Sequence, residues 1–80
     1  MALIEIDEHQ YVVMRDDDLE GGRVKRWEVR THDVLVGSFI QLDDQDRYFV
    51  YAGEGVQLGS ALGSPDCVAL IHEYLFPDFQ

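Results

Sequence analysis

The chain has few cysteines, few basic residues and no long apolar run. A single cysteine among 80 residues excludes an intramolecular disulfide framework. No apolar run is long enough to cross a membrane, and the N-terminus lacks the basic start and apolar stretch of a signal peptide. These absences predict a cytoplasmic protein in a reducing compartment, with no membrane partner.

Basic side chains are outnumbered by acidic ones. The chain has 6 Lys and Arg against 16 Asp and Glu, a formal net charge of −10 at pH 7. Direct binding to nucleic acid is disfavoured, because attraction to phosphates needs clustered cations. The length, with 46% hydrophobic residues, supports one domain over residues 1–80 and is too short for two.

The hydrophobic pattern changes along the chain from strand-like alternation to helical spacing. It predicts an α+β fold, an antiparallel β-meander of four to five strands with one C-terminal helix packed on a face. The predicted strands cover about residues 2–6, 11–15, 23–31, 34–42 and 47–52, followed by a glycine-rich loop at 53–63 and a helix at about 65–76. Residues 7–10 either form a turn or extend one longer strand.

The predicted helix has clear end signals. Ser64 is a favourable N-cap, Pro65 fits the first helical position, and Asp66 meets the positive end of the helix dipole. Pro77 ends the helix. The apolar stripe comprises Cys67, Leu70, Ile71, Tyr74 and Leu75. A helix of this length is marginal alone, so we expect it to pack on the sheet.

The third predicted strand carries four of the six basic residues. These are Arg23, Lys25, Arg26 and Arg30. The alternation of this strand predicts Trp27 and Val29 in the core, with Arg26, Glu28 and Arg30 facing solvent. Cross-strand ion pairing explains arginines that share a face with Glu28. A nucleic-acid stripe is the alternative, and it is disfavoured because acids lie at both ends of the strand.

Two of the predicted turns are acidic. Consecutive turns of a meander lie at opposite ends of the sheet, so alternate turns share an end. The turns at 16–22 and 43–46 have one turn between them, and we expect both at the same end. The candidate partner-binding residues are Asp16, Asp17, Asp18, Glu20, Asp43, Asp44 and Asp46. They either form ordinary solvated turns or offer a negative surface to a basic partner.

One segment has part of a calcium-binding pattern. The spacing Asp16-x-Asp18-x-Glu20 matches the first half of an EF-hand loop. Trp27 stands where that loop needs a bidentate Glu, and the preceding segment reads as a strand, so we expect no EF-hand. A weak Ca²⁺ site at these acids is left open.

Other metal and catalytic motifs are incomplete. His9, His32 and His72 lack the spacing of zinc ligands, and Cys67 is typical of a small core residue. No serine or cysteine has the local signature of an activated nucleophile. We therefore expect no catalytic residue, no metal ligand and no cofactor. The stretch Gly53–Gly59 lacks the ending of a phosphate-binding loop, and as a long connection it is a second candidate contact surface.

At the level of class, the chain resembles the small acidic inhibitors carried by phages and mobile elements, including anti-CRISPR proteins and DNA mimics. The likeness rests on length, acidity and the turns Asp16-Asp17-Asp18-Leu19-Glu20 and Asp43-Asp44-Gln45-Asp46. It implies a non-enzymatic module that occupies a basic, nucleic-acid-binding surface of a partner protein. The basic third strand departs from a uniformly negative mimic. The alternative is a homo-oligomeric or complex-assembly subunit, a homodimer included, that pairs through a strand edge or the aromatic tail.

Overall fold

The computed structural model describes residues 2–16, 24–42 and 46–77. Six strands form one antiparallel sheet in sequence order, and a C-terminal helix packs on it. The strands are β1 (Ala2–Ile6), β2 (His9–Asp16), β3 (Val24–Thr31), β4 (Val34–Leu42), β5 (Tyr48–Ala52) and β6 (Gln57–Ala61), and the helix is α1 (Ser64–Leu75). The predicted meander with a C-terminal helix is confirmed, with one strand more than predicted.

Two of the hairpins close with two-residue turns. Asp7 and Glu8 join β1 to β2, and His32 and Asp33 join β3 to β4. All four residues have positive φ, at 48°, 70°, 52° and 61°. Positive φ at both central positions is typical of the type I′ turn, whose twist matches that of the paired strands. Of the two possibilities left open for residues 7–10, the structure has the turn, and it is confined to the first two.

The sixth strand lies inside the predicted glycine-rich loop at 53–63. It pairs with β5 through Tyr48 and Ala61, and through Val50 and Gly59. Pairing with the backbone of β5 outweighs the low strand propensity of Gly and Ser in this segment. Gly59 has φ of 133° beside a register shift, the conformation that a bulge requires. The remaining connection is short and is closed by a hydrogen bond from the Ala52 amide to the Val56 carbonyl at 2.8 Å.

The helix begins one residue earlier than predicted. Gly63 occupies the N-cap position without a side-chain cap, so Ser64 is the first helical residue and not the N-cap that the sequence predicts. The buried residues of α1 are Cys67, Val68, Ile71 and His72. Tyr74, which the predicted stripe included, is 42% exposed. The buried face of the helix therefore includes Val68 and His72, whose ring nitrogens contact Tyr11 and Asp7, and leaves out Tyr74.

The core lies between α1 and one face of the sheet. Its fully buried side chains are Tyr11, Val29, Phe39, Val50, Cys67, Val68 and Ile71. The predicted core positions Trp27 and Val29 are confirmed, since Val29 is buried and Trp27 stacks on Phe39 with centroids 5.3 Å apart. Gly37 lets the helix approach closely. A Cβ there would lie 2.7 Å from Ile71 Cδ1 and 2.8 Å from the Tyr51 carbonyl oxygen.

The sheet curves around the helix. The helix contacts β5 and β6 at one margin of the sheet and β1 at the other. A flat six-stranded sheet would separate those margins by roughly 24 Å, about twice the diameter of a helix. Contact with both margins therefore requires curvature, which leaves the opposite face of the sheet uncovered by α1. No helix among the described residues is long and apolar enough to cross a membrane.

Candidate functional site

One end of the sheet, here called the acidic end, is where the chain enters and leaves the two acidic segments. Asp16 ends β2 and Val24 begins β3, while Leu42 ends β4 and Tyr48 begins β5. Val24 pairs directly with Leu42, and Asp16 pairs with Arg26. The strand ends that carry segments 17–23 and 43–47 are therefore adjacent, as the meander predicts.

Two of the seven candidate acids lie in the described part of the chain. Asp46 is exposed just before β5, and Asp16 is half-buried at the end of β2. The five acids outside the described residues are Asp17, Asp18, Glu20, Asp43 and Asp44. Their clustering and their role in binding stay predictions.

An ion-pair network crosses the uncovered face of the sheet. The Arg26 guanidinium donates to Asp16 Oδ2 at 2.7 Å and to Glu28 Oε2 at 3.3 Å. Arg30 donates to the other oxygen of Glu28 at 3.4 Å. The predicted cross-strand ion pairing is thus confirmed for Arg26 through Asp16 of β2, whereas the pairs that Arg26 and Arg30 make with Glu28 lie within β3. Asp16 is consequently a partly neutralised acid and not a free one.

The other end of the sheet, here called the histidine end, holds all three histidines of the chain. His9 begins β2, His32 lies in the β3–β4 turn, and His72 lies in the last turn of α1. Their spacing in the sequence fits no metal-binding motif. Only the folded chain brings His9 and His72 together, with ring centroids 5.5 Å apart.

His72 links the helix to the sheet through both of its ring nitrogens. The buried Tyr11 hydroxyl donates to His72 Nδ1 at 2.6 Å, and Nε2–H donates to Asp7 Oδ2 at 3.2 Å. One neutral tautomer of the histidine satisfies both contacts. Burial, and secondarily the charge of Asp7, raises the pKa of Tyr11 above its ordinary value.

The Asp7–His72–Tyr11 chain has the order of a hydrolase triad but not its access. A nucleophilic hydroxyl must reach substrate, and Tyr11 is fully buried. The chain of hydrogen bonds therefore fastens α1 to β1 and β2. The Tyr11–His72 hydrogen bond of this network is buried, and a buried polar pair that is satisfied in only one arrangement favours a unique packing.

Beside this network lies an open cleft of about 480 Å³ between the β1–β2 turn and the end of α1. Phe76 stacks on His9 with centroids 4.3 Å apart and rings 20° from parallel. Phe76 is still 48% exposed. Asp7 and Glu73 also line the cleft. The arrangement offers an aromatic surface beside two carboxylates.

The described residues contain no group of three His, Cys, Asp or Glu side chains positioned to share a metal ion. Cys67 is fully buried, and burial raises the pKa of its thiol to about 12, with a smaller contribution from Asp66. The positive end of the helix dipole favours the thiolate at this position, but desolvation has the larger effect. Comparison with family models finds no match to the chain, and no curated protein or solved structure matches it.

Proposed function

We propose that the chain is a non-enzymatic protein-binding module whose acidic end occupies a basic surface of a partner protein. That surface is one that otherwise holds nucleic acid, so the module inhibits its partner by direct competition. A reducing, cytoplasmic location belongs to the same proposal, because the single cysteine is a free thiol.

The observation that carries this proposal is the pairing of Val24 with Leu42. Because of it, segments 17–23 and 43–47 leave the sheet from adjacent strands at one end. These segments contain six acids and two arginines. Charge of one sign at one end gives complementarity to a basic surface and speeds association with it.

Salt limits the distance over which the acidic end can attract a partner. At physiological salt, exposed charges more than about 8 Å apart are largely screened. The acids therefore discriminate between partners chiefly at contact, while their summed field acts on the association rate. Binding should weaken steeply as ionic strength rises, and the association rate should fall more than the dissociation rate increases.

Two variants with the same change of net charge, one at each end of the sheet, test the proposal. The acidic-end variant replaces Asp17, Asp18 and Glu20 with Lys. The control replaces the exposed Glu5, Glu8 and Glu54 with Lys, so both variants raise the formal net charge by six. Each is tagged and passed through nuclease-treated lysate, with elution by rising salt and a melting curve to verify folding.

A nucleic-acid-binding protein that the wild type and the control retain, and the acidic-end variant loses, is the expected result. Purified partner should then bind the acidic-end variant at least tenfold more weakly than the control. Equal retention by all three would show ion exchange without a specific surface. Either equal retention or recovery of the chain alone would overturn the proposal.

The alternative, a self-assembling subunit, has support from the uncovered face of the sheet. Leu3 is 64% exposed and Met14 is 44% exposed on that face, beside Arg30 and Glu28. β1 and β6 are also edge strands with unpaired backbone groups. A solution mass that is a multiple of 9.2 kDa, with concentration-dependent melting, would favour this alternative.

A further inference from the structure

The cleft at the histidine end holds carboxylate oxygens that the described residues do not neutralise. Asp7 accepts from His72 with Oδ2, and its side chain is 84% exposed. Its second oxygen has no hydrogen-bond or ion-pair partner among the described residues. The exposed Glu73 has none either in that part of the chain. No lysine or arginine of the described segments lines this cleft.

The end of α1 adds to the negative potential of the cleft. Carbonyl groups in the last turn of a helix lack intrahelical partners and carry the negative end of its dipole. The Phe76 amide donates to the His72 carbonyl at 2.8 Å and satisfies one of them. Cations are favoured next to such a helix end. This contribution comes from the backbone and is independent of the two carboxylates.

The stacked rings of His9 and Phe76 favour a planar cation over a compact one. The stack of His9 and Phe76 leaves nearly half of the Phe76 surface open to solvent. A guanidinium stacks on aromatic faces and meets a carboxylate through two parallel hydrogen bonds. A lysine ammonium is more strongly hydrated and has no plane to stack. Phosphates and other anions would be repelled by Asp7 and Glu73.

We propose that this cleft receives an arginine side chain of a protein partner, with its guanidinium stacked on Phe76 and paired with Asp7 and Glu73. His72 positions Asp7 by holding one of its oxygens, which leaves the other directed to the ligand. This contact goes beyond the acidic end and does not depend on it, because the two lie at opposite ends of the sheet.

The probe for this site is N-acetyl-arginine amide, titrated into the isotope-labelled full chain and followed by NMR. The expected result is saturable shifts of His9, Phe76 and Ala69. N-acetyl-lysine amide should bind at least threefold more weakly, and the neutral N-acetyl-citrulline amide should not bind. Free L-arginine tests whether the ligand is the free amino acid and not an arginine side chain of a protein. If it binds tenfold more tightly than the amide, the site serves a small molecule and the proposal is overturned.

Single substitutions test the contribution of each cleft residue to binding of the probe. Asp7→Asn and Glu73→Gln should each weaken the probe about threefold, the typical effect of one exposed charge near a helix end. Asn adopts positive φ readily, so Asp7→Asn preserves the turn. Phe76→Leu keeps an apolar side chain and removes the ring, and it should weaken the arginine probe more than the lysine probe.

Glu8→Gln is the control, because Glu8 neighbours Asp7 and lies outside this cleft. It should leave the affinity unchanged. An equal loss in Glu8→Gln and Asp7→Asn would mean that the net charge of −10 attracts the probe without a site, and would overturn the proposal. Equal binding of the citrulline and arginine probes would also overturn the proposal. Acidic-end variants should bind the probe as the wild type does, so this result is separate from the test of the proposed function.

Discussion

At the acidic end of the sheet, acids lie on segments that follow the strand ends, and Asp16, which lies within β2, is paired with Arg26. At the histidine end two of the connections are two-residue turns, and Tyr11, His72 and Asp7 form a continuous chain of hydrogen bonds. We therefore expect that charge can be altered at the acidic end with little effect on folding, whereas polar groups at the histidine end help to seat the helix. Substitutions at the acidic end should therefore change binding without changing stability. Substitutions at the histidine end should change both.

The largest effect is expected where the helix rests on the sheet between the two ends. Gly37→Ala would place a Cβ 2.8 Å from the Tyr51 carbonyl oxygen, a backbone atom that cannot simply rotate away. Such overpacking costs about 3 kcal/mol of unfolding free energy, at the upper end of the usual range. Urea unfolding of the variant and the wild type measures this loss of stability. Gly63→Ala is the control, because its added Cβ would have ordinary contacts only, and an equal loss in both variants would contradict close helix seating.

Tyr11→Phe tests the coupling at the histidine end. It removes the donor to His72 Nδ1 and leaves a buried acceptor unsatisfied, at a cost of about 2 kcal/mol. Tyr74→Phe removes an exposed hydroxyl that donates to Glu54 at 3.3 Å, and it should cost much less, because water replaces such a bond. If the two variants were equally stable in urea, the hydrogen-bonded chain would not hold the helix.

Alkaline pH should destabilise the protein through Cys67. Burial raises the thiol pKa to about 12 in the folded protein, from an ordinary value of 9.0 in the unfolded chain. Well below pH 9 both states keep the thiol protonated. Between pH 9 and about pH 12 the unfolded state alone ionises, so the free energy of unfolding falls as pH rises. Cys67→Ala should reduce this slope, and Tyr11, whose pKa is also raised by burial, accounts for part of what remains. At pH 8 a thiol reagent should label unfolded protein far faster than folded protein.

The smallest effect is expected at the acidic end. Asp17→Asn with Asp18→Asn should change the free energy of unfolding by less than about 0.5 kcal/mol, with a slight gain at low salt as like charges are removed. Chemical denaturation at low and high salt measures both. A loss above 1 kcal/mol would mean that these acids are part of the fold, and the contrast between the two ends would fail.

Local patterns in the sequence predict much of this architecture. Alternation in residues 24–31 gives the correct faces for Trp27 and Val29, and Pro65 and Pro77 bracket α1 to within two residues. β6 was not predicted because Gly59 and Ser60 lack strand propensity, and their conformation depends on pairing with β5. The histidine end was not predicted either. His9 and His72 are far apart in the sequence, and no local pattern encodes their contact.

Local patterns in the sequence are sufficient to predict an antiparallel meander, a C-terminal helix, and the placement of acids on alternate connections. These follow from periodicity and turn chemistry, which act between residues close along the chain. Tertiary structure alone decided how the sheet curves, which face of α1 is buried, and that Tyr11, His72 and Asp7 meet. Those outcomes depend on packing between distant segments. Close approach at Gly37, and buried polar groups that need partners, select one arrangement among those that the local pattern permits.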